Sequence, residues 1–201
     1  ITYRNLNFTS SLWEAQLALE YHLFDLAERS FTPYAFAGIA AFHFNPYSFD
    51  ASGNKVYLRS LSTEGQGLTA YPSRKMYKNN QFSIPVGAGI KLALSPHLIA
   101  GVEINKRKTF TDYLDDVSSH YVDRDALLQA KGAKAVELSF REDELPNGRP
   151  LFPGHGEQRG TPSEMDWYYF FGLTLEIKLN TPGGLFNNNR SVSSQRCPNR
   201  F

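Results

Sequence analysis

Phe82-Ser-Ile-Pro-Val-Gly-Ala-Gly-Ile-Lys-Leu-Ala-Leu94, then Ser95-Pro96-His97, then Leu98-Ile-Ala-Gly-Val-Glu-Ile-Asn-Lys-Arg-Lys-Thr-Phe110, is the stretch that decides the fold. Ile84, Val86, Ala88, Ile90, Leu92 and Leu94 alternate with Ser83, Gly87, Gly89 and Lys91. Beyond the short break, Leu98, Ala100, Val102 and Ile104 alternate with Gly101, Glu103, Asn105 and Arg107. A period of two marks β-strands with one apolar and one polar face, and strands joined so tightly pair antiparallel.

Working outward, the same alternation recurs at 12–24, 33–45 and 167–180. In 12–24, Trp13, Ala15, Leu17, Leu19, Tyr21 and Leu23 oppose Glu14, Gln16, Glu20 and His22. In 167–180, Trp167, Tyr169, Phe171, Leu173, Leu175, Ile177 and Leu179 oppose Tyr168, Gly172, Thr174, Glu176 and Lys178. In 33–45 both parities are apolar, with Tyr34, Phe36, Phe42 and Phe44 against Ala35, Ala37, Ile39 and Ala41, so either face can point outward. Each run is about 13 residues long, whereas a globular strand has about 5–6 and a membrane-spanning strand needs about 9–11. The connections 25–31 and 95–97 are short, and 46–81 and 111–166 are long. Short turns alternating with long loops are the pattern of an outer-membrane barrel. The expected fold is therefore all-β, an antiparallel transmembrane β-barrel with long outer loops. A soluble up-and-down barrel is the rival. Bacterial barrels have even strand numbers, so about five strands here call for an odd number before Ile1; three missing N-terminal strands would give eight, the smallest common size, and the chain reads as a mature or truncated form. Residues 1–180 would form the barrel and 181–201 a periplasmic tail. Within the second long loop, 123–130 reads as a helix capped by Asp123 and broken at Gly132, and the Pro- and Gly-rich 146–162 reads as irregular loop.

The composition agrees. Among 201 residues, 15 Phe and 11 Tyr bring the aromatic share to 14%, which suits strands and membrane-interface girdles. A formal net charge of +1 argues against a nucleic-acid partner, which calls for a basic face. No apolar run approaches the roughly 20 residues of a spanning helix.

The charged residues inside the strands are the first candidate site. Glu14, Glu20, Glu103 and Glu176 share the polar parity with Lys91, Arg107 and Lys178. An eight-stranded barrel has an interior just wide enough for side chains, and buried charges persist there when paired. The expectation is an ion-pair network that fills the lumen, with no catalytic residue, no cofactor and no metal. Asp112, Asp115, Asp116, Ser118, Ser119 and His120 hold nucleophile-type groups in one run. Catalysis would require them to converge with an oxyanion hole, and solvated turns are the expectation instead. His155 alone is weak as a metal ligand, and Gly65-Gln66-Gly67 has no lysine at phosphate-loop spacing. The lone cysteine, Cys197, follows the last strand. In an oxidising compartment a leftover cysteine points to an intermolecular disulfide, and an inert thiol is the equal alternative. Around it, Phe186 and Phe201 offer apolar anchors, and Arg196 and Pro198 flank it.

Several motifs occur in an order that resembles the PorG family of Bacteroidota outer-membrane proteins. They are Phe31-Thr-Pro-Tyr-Ala-Phe-Ala-Gly-Ile-Ala-Ala-Phe-His-Phe-Asn-Pro46, Leu61-Ser-Thr-Glu-Gly-Gln-Gly67 with Tyr71-Pro72, Lys106-Arg-Lys-Thr-Phe-Thr-Asp-Tyr-Leu-Asp-Asp-Val117, Asp166-Trp-Tyr-Tyr-Phe170 and Cys197-Pro198. The resemblance spans nearly the whole chain and departs from the family only in the missing N-terminal strands. It implies an eight-stranded, non-enzymatic outer-membrane barrel of the type IX secretion system, and in some relatives a role in gliding. The implied partners are a periplasmic ring lipoprotein and its partner subunit, besides outer-membrane lipid. The resemblance also favours the intermolecular reading of Cys197. Two other classes compete: a pore or ligand-binding barrel, which requires an open lumen, and an outer-membrane enzyme, which requires polar groups converging at a rim.

Overall fold

A computed structural model describes residues 4–178. Five long antiparallel strands dominate: β1 (Thr9–His22), β2 (Phe31–Phe49), β4 (Asn80–Ser95), β5 (Leu98–Thr109) and β6 (Trp167–Ile177). They neighbour one another in the order β1-β2-β4-β5-β6, and the short β3 (Lys55–Tyr57) pairs with the far end of β2. The sheet curls into a half-barrel. The curl is deep enough for Tyr168 on the last strand to donate its hydroxyl to Glu14 Oε2 on the first, at 2.7 Å. Among the described residues β1 and β6 are free edges.

The alternation read from the sequence sets the faces. On the convex side Leu17 is 74% exposed, Leu19 84%, Phe171 77% and Leu173 81%, so the apolar parity points out. The concave side carries buried Thr32, Ser83, Lys91, Asn105 and Arg107. For β2 the structure decides what the sequence left open: Tyr34, Phe36, Phe42 and Phe44 are buried inside, while Ala35, Ala37, Ile39 and Ala41 face out. The reason lies on the neighbouring strand. Tyr34 and Phe36 pair with Gly89 and Gly87 of β4, and a Cβ on either glycine would come within 2.6 Å of the aromatic ring opposite. Glycines thus clear the concave floor for the aromatics of β2.

All the strands meet their connections in the same sense. The turns 23–30 and 96–97 lie at one end, and the segments 50–79 and 110–166 at the other. β2 runs further into this second end than expected, to Phe49, where it takes up β3 as a flap; the three residues Lys55–Tyr57 are too few to show a period. The two long segments form a loop cap. It contains a 3-10 turn (Leu58–Leu61), α1 (Arg124–Lys131) and α2 (Ala133–Ser139). Asp123 caps α1 by accepting from Ala126 N at 2.8 Å, and Gly132 ends it with φ +83°. Leu58, Leu61, Leu68, Val122, Leu127, Ala135 and Leu138 form the cap's apolar core.

Candidate functional site

The strand charges meet on the concave side in two layers. Nearer the cap, Arg107 of β5 reaches across to β1, where its Nε and Nη2 donate to Glu14 Oε1 at 3.0 and 2.9 Å. It also donates to Gln16 Oε1 at 2.8 Å and to Asn105 Oδ1. Arg107 and Glu14 keep only 4% and 11% of their side-chain surface exposed. Nearer the turns, Lys91 of β4 bonds both Glu20 of β1 and Glu176 of β6. Between the layers Glu103 accepts from Tyr34 Oη at 2.8 Å and from Asn105 Nδ2 at 2.9 Å. Six of the seven charges expected in the lumen therefore converge. Lys178 differs: it is exposed just past the end of β6, and it makes no ion pair with a described residue. Its backbone N–H ties down to His97 O at 2.9 Å instead.

Toward the cap an aromatic stack covers these charges. Phe44 stacks on Tyr77 with ring centroids 6.0 Å apart, and Tyr77 on Tyr113 at 4.8 Å. Phe42 is buried beside them, and Leu12, Leu114 and Tyr168 close the edges. The mouth of the half-barrel is thus filled by side chains of both long segments and three strands.

Above the stack lies a polar centre that the sequence did not announce. Glu64, fully buried, accepts from the backbone N–H groups of Ser118 and Ser119, both at 2.9 Å, from Ser119 Oγ at 2.8 Å and from Arg159 Nη1 at 3.0 Å. Asp116 accepts from Thr63 Oγ1 at 2.5 Å and from Tyr77 Oη at 2.7 Å. Arg159 also donates to Asp116 O at 2.7 Å and to Ser139 O at 3.2 Å. Burial lifts the Asp116 carboxyl to about 6, against the pull of Arg159, Thr63 and Tyr77. Asp112 and Asp166 are also lifted to about 6, chiefly by burial and further by neighbouring carboxylates. The backbone is specialised here too: Asp116 has φ +64° and Gly65 φ +77°, a region that side chains other than glycine, asparagine and aspartate rarely occupy.

The run 112–120 is tied into the cap rather than left as solvated turns. Ser118 and Ser119 spend their backbone groups on Glu64, and the backbone of His120 pairs with Gln158 and accepts from Arg74 Nη1 at 2.9 Å. Asp115 Oδ1 caps its own turn by accepting from Val117 N at 2.9 Å. The run 112–120 therefore braces the cap. His155 stacks on Tyr71, with centroids 5.8 Å apart. The Gly65-Gln66-Gly67 turn seats Glu64, and Gly67 N donates to Arg74 O at 2.7 Å. Arg159 could not be paired with Glu64 in advance, because the two lie 95 positions apart in loops without periodicity. The tail residues Phe186, Arg196, Cys197, Pro198 and Phe201 lie outside the described residues.

Comparison with known proteins adds one finding. No curated protein and no solved structure matches the chain. A family defined by a domain of unknown function, DUF6089, matches residues 2–128. The match takes in β1 to β5, the whole first loop with Glu64, and the second loop as far as α1. It covers more than half of the sequence, and on that match the chain belongs to the DUF6089 family.

Proposed function

We propose that this chain is the larger part of an outer-membrane β-barrel with a closed lumen, acting without catalysis as the membrane anchor of a type IX secretion machine. One observation carries the membrane reading. The wall is inverted relative to a soluble protein, with large apolar side chains exposed outside and paired charges inside. Its dimensions agree. The 11 residues of β6 extend about 35 Å at about 3.3 Å each. At a typical tilt of about 40° they rise about 27 Å, enough to cross the roughly 25 Å apolar band of such barrels. The free edges at β1 and β6 would be covered by further strands, since a spanning sheet leaves no backbone group unpaired in lipid.

The secretion role rests on the motif resemblance alone; in the fold the motif residues Thr63, Glu64 and Asp116 interlock the cap. In this reading the two short turns face the periplasm and residues 181–201 leave β6 on that side. Arg196, Cys197, Pro198, Phe186 and Phe201 would bind the ring lipoprotein and its partner subunit, with Cys197 disulfide-bonded to one of them.

The test is affinity purification of the full-length protein from detergent-solubilised membranes, with wild type compared to a variant lacking 181–201. Wild type is expected to retain the ring subunits and the deletion to lose them. Cys197→Ser is expected to abolish a reducible high-mass species on non-reducing gels. Recovery of the barrel alone, with Cys197 freely alkylated in intact membranes, would sink the anchor reading. The pore alternative is tested by planar-bilayer recording. No steady conductance is expected, because the Arg107 and Lys91 layers and the Phe44–Tyr77–Tyr113 stack fill the passage.

A further inference from the structure

Charge is sorted on the wall more strictly than inside-outside patterning requires. All four carboxylates carried by the strands, Glu14, Glu20, Glu103 and Glu176, have the concave parity. Of the five strand cations, Lys91 and Arg107 also face in. The other three, Lys55, Lys106 and Lys108, share the outward parity, and all three stand at the cap end. At the turn end the strands carry no outward charge. Among the described residues these three lysines have no carboxylate within ion-pair distance. Each is held against aromatic faces: Lys106 Nζ lies 3.5 Å from the Trp167 ring centroid and 5.4 Å from that of Tyr169, Lys108 Nζ lies 5.5 Å from Trp167, and Lys55 Nζ lies 3.8 Å from Tyr47.

An aromatic girdle alone would anchor the wall at a neutral interface. Three outward-facing ammoniums on the cap-end strand residues, with no carboxylate at ion-pair distance, and no outward-facing charge on the strands at the turn end fit a leaflet whose headgroups are anionic on the cap side. Lys106 and Lys108 are neighbours on one face of β5, with their Cα atoms about 7 Å apart. Two flexible ammoniums at that spacing can close on the oxygens of a single phosphate, and Trp167 and Tyr169 provide the apolar shelf for the acyl chains beneath it.

We infer that Lys106 and Lys108, with Trp167 and Tyr169, form a binding surface for the phosphorylated headgroup of a lipid in the cap-side leaflet. The inference rests on the barrel reading above, and the test separates the two. Full-length protein is floated with phosphatidylcholine vesicles to score insertion. Its heat-induced unfolding is then followed in neutral detergent with added phosphorylated lipid A, with dephosphorylated lipid A, or with inorganic phosphate. Wild type is expected to insert and to be stabilised by the phosphorylated lipid only, with apparent affinity falling about fivefold for each lysine neutralised. Lys106→Gln/Lys108→Gln should insert as wild type does and lose the response, and Lys106→Arg/Lys108→Arg should keep it. If wild type inserts but responds equally to the dephosphorylated lipid, or if the glutamine variant retains the full response, the headgroup site is wrong and the barrel stands. If inorganic phosphate alone reproduces the effect, the lipid assignment is wrong. Failure of wild type to insert overturns both readings.

Discussion

Arg107 shows how a single side chain can hold a curled sheet. Its guanidinium reaches from β5 over the concave floor to Glu14 and Gln16 on β1, so it bonds strands that are not neighbours. A buried pair of this kind contributes little over an apolar filling, but removing one partner strands the other. Arg107→Met is therefore expected to cost about 3–5 kcal/mol, read as a lower urea midpoint in lipid or detergent. The double variant Glu14→Gln/Arg107→Met should recover much of the loss. Equal midpoints for wild type and the single variant would remove the pair from the curl. Glu14, Glu20, Lys91, Glu103, Arg107 and Glu176 could be assigned to one face from parity alone, because a strand has only two faces. Lys178 shares their parity but lies beyond the last paired residue of β6, and parity says nothing about where pairing stops. The burial of Tyr34 and Phe36 depended on Gly87 and Gly89, residues that look unremarkable until the register places them opposite.

At the scale of elements, strands and loops were unequally legible. The alternation of β4, β5 and β6 survives because one face of each is uniformly apolar, and α1 was marked at both ends by Asp123 and Gly132. α2 was not marked, since Gly132 provides no side-chain cap. The Glu64–Arg159–Asp116 centre was invisible because its members come from segments without a period. That centre sets the acid response of the cap. Asp112, Asp116 and Asp166 have folded values of about 6, above the ordinary 3.8. A carboxyl raised in this way takes up its proton first in the folded state. Its contribution thus favours folding as pH drops from about 7 through 6, and the gain is complete near the unfolded value. Asp50 and Glu157 are lowered by Lys134 and Arg149 respectively, and their stabilisation is lost only as pH falls below their ordinary values of 3.8 and 4.5, at the acid end of that range. Opening of α1 and α2, followed by hydrogen exchange corrected for intrinsic rate, should be less frequent at about pH 5 than at about pH 7.5. Asp116→Asn keeps an acceptor for Tyr77 and tolerates the left-handed backbone. It should stabilise the cap at the higher pH, by on the order of 1–3 kcal/mol, and flatten the pH dependence. A variant with the wild-type pH dependence would show that Asp116 does not titrate in this window.

For the molecule as a whole, stability depends on which face of the wall is apolar. Val102 sits mid-strand on the convex face, three residues before Asn105 on the concave one. Val102→Arg is expected to cost about 2–4 kcal/mol of barrel stability in a bilayer if it lies near the midplane, with loss of assembled protein in the membrane fraction. Normal assembly of Val102→Arg beside failure of Asn105→Leu would invert the assignment. The interlock of the loops also imposes an order in time. Thr63, Glu64 and Arg74 belong to the connection between β2 and β4, whereas Asp116, Ser118, Ser119 and Arg159 belong to the connection between β5 and β6. Closing contacts between such distant segments carries a loop-entropy cost that must be met before they reward it. The cap therefore becomes rigid only after both strand pairs are in register. Until then, residues 50–79 and 110–166 are long unprotected chains on one side of the wall, open to any protease there. Loss of that vulnerability marks the moment a nascent wall becomes a finished one.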